Sequence, residues 1–324
     1  MGKMPLETRG ITDSRLAFGC MHLCGGMKLN PITEEEIRNT ERLVDAALEA
    51  GITMFDHADI YAKGLAEAVF GEVMKRRPQL RDKIVIQSKC GIRLPEGTAP
   101  KRYDFSRDHI LGAVEGSLKR LHVEKLDVLL LHRPDVLMEP EEIAEAFSKL
   151  RDAGKVDHFG VSNMSADQIR YLQAYLPVPL AVNQLDLSLG KLEWLDSAVT
   201  VNRRIDKTVR FPEGTIEHCR KENIQLQAWG SLAQGRFTGR EMDLTEAERA
   251  TAALVARMAQ EKETTPESIV LGWLMRHPAK IQPITGTVNP ARVAACADAV
   301  RQADLMTREE WYALYNTSRG ADIP

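Results

Sequence analysis

Short apolar runs alternate along this chain with longer stretches whose apolar residues recur at helical spacing, the pattern of repeated βα units around a parallel sheet. Eight runs read as strands. They are RLAFGC ending at Cys20, TMFD at Asp56, IVIQSK at Lys89, LDVLLLH at His132, HFGVSN at Asn163, LAVNQ at Gln184, IQLQAWG at Gly230 and IQPITG at Gly286. Between them lie helix candidates. Thr33 followed by Glu36 forms a capping box before IRNTERLVDAALEA, which Gly51 stops. SRDHILGAVEGSLKRL, EPEEIAEAFSKLRDAG, SADQIRYLQAYL and TPESIVLGWLMRH carry the same period. This pattern predicts an α/β protein, a single (β/α)8 TIM barrel over residues 1–324 with no Gly/Ser-rich or Pro-rich linker dividing it. A short N-terminal hairpin before the first strand, an irregular charged loop over one mouth at 187–213, and an added C-terminal helix in TREEWYALYNTSR complete the expectation.

Composition narrows the setting. With 324 residues, 44% apolar and 27% charged, the chain is long enough to bury a sizeable core. Its formal net charge of -3 is spread over mixed acids and bases, with no basic stripe for a phosphate backbone, so nucleic acid is not an expected partner. Apolar runs such as VLLL at 128–131 are far too short to cross a bilayer. The N-terminal MGKMPLETRG has no apolar stretch after its lysine and carries Leu6 where a myristoylation signal needs Ser or Thr. The expectation is a cytoplasmic protein without a membrane partner. Cys20, Cys24, Cys90, Cys219 and Cys296 are odd in number and scattered, which suits free thiols. Cys20, His22 and Cys24 alternate as on one strand face, but no second ligand pair follows, so strand-end packing is the better reading than a metal site.

In such a barrel the C-terminal strand ends form the active mouth. Asp56, Lys89, His132, Asn163 and Gln184 each end an apolar run and would converge on that rim, where polar groups cost desolvation energy unless they are used. The stretch FDHADIYAKG concentrates the question. A metal site built from Asp56, His57, Asp59 and His132 is disfavoured, because successive strand residues point to opposite faces and Lys89 would repel the cation. An acid–base site uses every group: Tyr61 as proton donor, Lys89 beside it lowering the phenol's pKa, Asp56 fixing Lys89, and His132 orienting a substrate. His57, by the same alternation, faces away from the cavity.

The motifs FDHADIY, IVIQSKCG, LDVLLLHRPD, GKVDHFGVSNM, VNQ, AWGSLAQGRF and PITGTVNPARV, in that order, resemble those of the aldo-keto reductases, and in HADIY and LLLHRPD a bacterial subgroup of predicted oxidoreductases. The resemblance implies NADPH-dependent reduction of a small-molecule aldehyde or ketone, with Asp56, Tyr61, Lys89 and His132 as the catalytic tetrad. It implies that Ser162, Asn163 and Gln184 bind the nicotinamide carboxamide, that Trp229 stacks on the ring, and that Ser231 and Leu232 follow the pyrophosphate. Gly286, Thr287, Val288 and Asn289 would wrap the adenosine end at a helix N-terminus, and Arg292 would pair with the 2′-phosphate of NADP. Met21 and Arg133 would border the substrate pocket. The chain departs from the family pattern at Gly286, where many relatives carry a basic residue, and at Ala295 and Cys296, where Glu and Asn are usual.

Other readings compete. A class I aldolase would need Lys89 neutral for a Schiff base, whereas Asp56 favours the ammonium. A metal-dependent hydrolase meets the strand geometry just described. An NADP-binding regulatory subunit resembling the potassium-channel beta subunits would keep the fold without turnover, but the full tetrad favours an enzyme.

Overall fold

The computed structural model describes residues 2–24, 31–202 and 209–324. Eight parallel strands close into a barrel: β1 (Ala17–Gly19), β2 (Met54–Asp56), β3 (Val85–Cys90), β4 (Leu126–Leu131), β5 (Val156–Ser162), β6 (Val182–Asp186), β7 (Gln225–Trp229) and β8 (Gln282–Thr285). Each pairs with its neighbours in sequence, and the ring is sealed where Ala17 of β1 lies opposite Ile284 of β8. These are the eight runs expected, with ends shifted by a residue or two.

The two-residue period of a strand sorts the side chains. Ala17, Met54, Val128, Leu130, Val182 and Ile284 point inward and fill the lower barrel. Phe55, Ile86, Leu129, Leu131, Phe159 and Leu226 point outward and pack beneath the surrounding helices. The helix Glu34–Glu49 starts at Thr33 with the expected capping box. Helices Arg107–Leu121, Pro140–Asp152, Ala166–Gln173 and Pro266–Arg276 fall on the other periodic stretches.

Three features differ from expectation. No hairpin precedes β1 among the described residues; the short helix Pro5–Thr8 stands there, with Met4 and Leu6 fully buried and Leu6 joining the cluster that closes the barrel floor. Pro5 explains the choice, since it presets a helical φ and lacks the N–H that a strand ladder requires. The segment after β6 is not wholly irregular: Glu193–Val199 is a helix, while 203–208 of the expected loop lie outside the described residues. Two short antiparallel strands, Ile92–Arg93 and Arg102–Tyr103, also rise above β3.

The added C-terminal helix is present as Arg308–Arg319. Trp311 stacks on Trp273 at 5.2 Å, and each indole N–H donates to the other residue's carbonyl at 3.0–3.1 Å. Tyr315 and Arg319 of this helix both donate to Asp196, which ties the helix to the segment beside the mouth.

Gly71 marks a close helix approach. A Cβ there would stand 1.9 Å from the Arg120 carbonyl oxygen, so the helix Leu65–Arg76 can meet Arg107–Leu121 only if position 71 is bare. We expect Gly71→Ala to cost about 1–3 kcal/mol through forced separation of the two helices. Denaturant unfolding should show a lower midpoint at unchanged slope; an unaltered midpoint would contradict the contact.

Candidate active site

Asp56 ends β2 and Lys89 lies on the neighbouring β3, both on the inward face, so their side chains meet inside the upper barrel. The Lys89 ammonium donates to Asp56 Oδ2 at 2.7 Å, to the His57 carbonyl at 2.8 Å and to the Tyr61 hydroxyl at 3.0 Å. Lys89 is fully buried and Asp56 nearly so. Burial pulls the ammonium down, but Asp56 and Tyr61 outweigh it and leave Lys89 above its ordinary value. A lysine kept charged in this way is a poor Schiff-base nucleophile, which counts against the aldolase reading.

Tyr61 reaches the ammonium because the chain turns sharply behind it. Ala62 (φ 49°) and Lys63 (φ 56°) are both left-handed, followed by Gly64 at φ 89°. A side chain in that conformation costs about 1–2 kcal/mol, strain that persists only because the ladder from β2 continues past the strand's end. His57 N–H donates to Gln87 O at 2.8 Å and Asp59 N–H to Lys89 O at 3.0 Å. The four-residue spelling YAKG carries no sign of this turn beyond its glycine.

The phenol itself departs from expectation. Burial pushes Tyr61 above the ordinary tyrosine value, and Lys89 pulls it back without prevailing. Tyr61 therefore holds its proton at neutral pH, with the ammonium in place to stabilise the oxygen once that proton has left. His132 follows β4, its ring edge-on to Tyr61 at 5.9 Å. Burial, and next Lys89, keeps it well below the ordinary histidine value, so it is a neutral imidazole.

The expected cofactor residues fall into four groups. Ser162, Asn163 and Trp229 form a hydrogen-bonded row on the rim: Asn163 donates to Ser162 Oγ at 2.7 Å and accepts from the Trp229 indole at 3.2 Å. Gln184 instead turns its NH2 inward, to Asp56 Oδ1 at 3.1 Å and Gln227 Oε1 at 3.0 Å. Ser231 is buried and spends its hydroxyl on the Ile284 carbonyl, with Leu232 half-buried beside it.

Beyond β8, Gly286, Val288 and Asn289 are exposed and Thr287 half-exposed, and nothing lies within 4 Å of where a Gly286 side chain would project. The helix Pro290–Ala294 has no free first-turn donor: Pro290 has no N–H, Ala291 donates to Asn289 Oδ1, and Arg292 and Val293 donate to the Asn289 carbonyl. The phosphate-binding helix end expected there is thus already satisfied. Arg292 is braced by Glu267 at 3.1 Å and Thr238 at 2.7 Å. Met21 is exposed in the turn Cys20–His22, and the Arg133 guanidinium lies 5.7 Å over the Trp229 ring. That turn also ends the notion of Cys20, His22 and Cys24 alternating along a strand.

Sequence reading passed over a ladder of glutamines inside the barrel. Gln87 donates to Asp56 Oδ1 at 2.5 Å and to Gln227 at 2.9 Å, Gln227 donates to Gln282 at 2.9 Å, and Gln282 donates to the Ser14 carbonyl at 2.6 Å. The signal was available: each sits within an apolar run at even spacing from an inward residue, Gln87 two before Lys89 and Gln282 two before Ile284.

Behind β2 the other alternation holds. His57 is fully buried against Phe70 at 4.6 Å, and neither ring nitrogen has a partner among the described residues. Glu67 accepts from Ser88 at 2.6 Å and Arg120 at 2.8 Å. Asp59 is pushed up to about 7, first by burial and then by Glu67.

The fold is a TIM barrel, and at its C-terminal mouth a buried lysine–aspartate pair lies under a tyrosine hydroxyl. The chain belongs to the aldo-keto reductase family, whose model, described as "Aldo/keto reductase family", matches residues 15–314. It is 36% identical over 286 residues to "Uncharacterized oxidoreductase YcsN" of Bacillus subtilis, which covers 87% of this chain and 89% of that protein. It is 33% identical over 319 residues to a "6-dehydroglucose reductase" of Agrobacterium fabrum, covering 96% of each. The structure of a glycerol dehydrogenase from Gluconobacter oxydans shares the fold with a TM-score of 0.75 at 24% identity, over 94% of this chain and 92% of that one.

His57 gives a test of the buried layer. Burial, then Lys89, holds it down to about 3, so the folded protein keeps it neutral where the unfolded chain protonates it. Its contribution is lost as pH falls below the unfolded value near 6.5, by about 2 kcal/mol on reaching about pH 5. Wild type should therefore lose about that much more stability than His57→Phe over this interval in denaturant titrations. Parallel losses would place the imidazole in a wetter setting.

Proposed function

We propose that this protein is an NADPH-dependent oxidoreductase that reduces an aldehyde or ketone to an alcohol, with Tyr61 as general acid. The observation that carries the reading is the Lys89 ammonium held 3.0 Å from the Tyr61 hydroxyl and 2.7 Å from Asp56 in a dry pocket. NADPH, when bound, supplies the hydride for the carbonyl carbon. Tyr61 gives its proton to the carbonyl oxygen, and Lys89 stabilises the phenolate left behind. Asp56 keeps Lys89 charged and aimed. His132, uncharged, donates a hydrogen bond that orients the carbonyl without competing as an acid.

The residues present suit that cofactor. The rim row of Ser162, Asn163 and Trp229 offers polar groups and an indole face for the nicotinamide, with Gln184 below it. The open space at Gly286 and the exposed Thr287–Asn289 stretch leave room for the adenosine end. Arg292, pre-aligned by Thr238 and Glu267, would meet the 2′-phosphate, and Ser231 and Leu232 would line the path between. Glu267 already neutralises part of that guanidinium, and with Gly286 in place of a basic residue the preference for NADP over NAD rests on Arg292. Met21 and Arg133 border the substrate entrance. Five buried free thiols suit a reducing cytoplasm, and no helix among the described residues is long and apolar enough to cross a membrane.

The similarity to a 6-dehydroglucose reductase places polyhydroxylated aldehydes in the assay panel beside simple aldehydes, ketones and quinones. Wild type should oxidise NADPH with at least one of them, read from nicotinamide absorbance. Tyr61→Phe should lower kcat by about 10²–10⁴-fold while NADPH still quenches Trp229 fluorescence. Undiminished turnover in that variant would remove Tyr61 from the chemistry, and Arg292→Ala should weaken NADPH binding while leaving NADH binding unchanged.

A further inference from the structure

The two oxygens of Asp56 are gripped from one strand. Oδ2 faces the Lys89 ammonium and Oδ1 accepts from Gln87, two residues earlier on the inward face of β3. A second amide, Gln184 of β6, also reaches Oδ1, so the carboxylate is met on both oxygens. We propose that Gln87, oriented by Gln227, is a positioning residue that clamps Asp56 against Lys89 and thereby governs how readily Tyr61 gives up its proton. This inference rests on the reading of Tyr61 as proton donor.

The direction of the clamp is dictated from the barrel floor. The Ser14 carbonyl can only accept, so Gln282 must present its NH2 there and its oxygen to Gln227. Gln227 must then spend its NH2 on Gln282 and turn its oxygen toward Gln87 and Gln184. Both of those amides are left with NH2 groups directed at Asp56. A carboxylate at the far end, itself acceptor-only when ionised, satisfies the sequence of donors without a conflict. One backbone carbonyl thus fixes the polarity of four side-chain amides and delivers donors to the aspartate.

The groups facing the phenol are few. Lys89 and Asp56 carry charge there, while Cys20 from the end of β1 and His132 from the end of β4 are both kept uncharged by burial. Asp59 and Glu67 interact with each other and with Arg120 behind β3. Asp56 raises the Tyr61 pKa and Lys89 lowers it, so the balance within the ion pair reaches the hydroxyl directly. Amide donors on Oδ1 spread the carboxylate's charge, which softens its opposing effect and leaves more of the ammonium's field for the phenol.

The test uses Gln87→Met, which keeps length and removes the donor, and Gln87→Glu, which donates only while protonated. Tyr61 titration is followed in the cofactor-free protein by NMR of tyrosine labelled at Cζ, its signal assigned by loss in Tyr61→Phe. kcat and KM are followed against pH with NADPH and an aldehyde that wild type reduces. Gln87→Met should raise the Tyr61 titration by about half a pH unit or more, and lower kcat about tenfold with little change in KM. Gln87→Glu should work near wild-type rate at acid pH and lose activity as the second carboxyl ionises, along a limb that wild type lacks. A folded Gln87→Met whose Tyr61 titration and kcat match wild type overturns the proposal, as does a Gln87→Glu profile without the new limb. Should Gln87→Met fail to fold, Gln227→Met removes the orienting partner and is read the same way. If wild type never oxidises NADPH, yet Gln87→Met displaces the Tyr61 titration, carbonyl reduction is refuted and the clamp stands; wild-type turnover with no displacement in Gln87→Met does the reverse.

Discussion

The C-terminal mouth of the barrel is organised around an ion pair that water does not reach. Moving an ammonium and a carboxylate into a protein interior costs several kcal/mol per ion after relaxation, and mutual attraction repays this only with good geometry and further hydrogen bonds. Lys89 has three oxygen partners and Asp56 three nitrogen donors, so little of either charge is left unanswered. The arrangement explains why Gln87, Gln184 and Gln227 sit on these inner strand faces: each is a partner, or a partner's partner, of the pair. It also explains the strained turn at Ala62 and Lys63, since the tyrosine must double back over the barrel to share the same ammonium.

Much of this was visible in the chain itself. Strands were readable because their apolar runs end in a polar residue, as at Asp56, Lys89 and His132, and the period of two put Asp56 inside and His57 outside before any coordinates. Depth of burial was not readable. Convergence of strand ends on one rim placed the Lys89 cation beside Tyr61 and so suggested a lowered phenol, whereas burial raises it. The floor was misjudged for a similar reason: a short hairpin was expected before β1, but the helix Pro5–Thr8 stands there, and its Leu6 packs on a ring of inward residues from β1, β2, β4, β6 and β8.

The glutamines illustrate a further limit. Each alone, within IVIQSK, IQLQAW or IQPITG, looks like a tolerated polar residue in a strand. Only barrel closure brings Gln87, Gln184, Gln227 and Gln282 within hydrogen-bonding reach of one another, and only then does a carbonyl at the floor acquire a bearing on an aspartate near the mouth. Polar groups in the core are costly unless completed, and here the completion runs through strands from both halves of the chain.

Barrel closure has one more consequence, for the order of events during synthesis. β1 has only three residues, and one of its two neighbours is β8, so Ala17 waits for Ile284 before its second edge is covered. A growing polypeptide therefore carries two open sheet margins until its last barrel strand has left the ribosome, which is when association with other nascent chains is easiest.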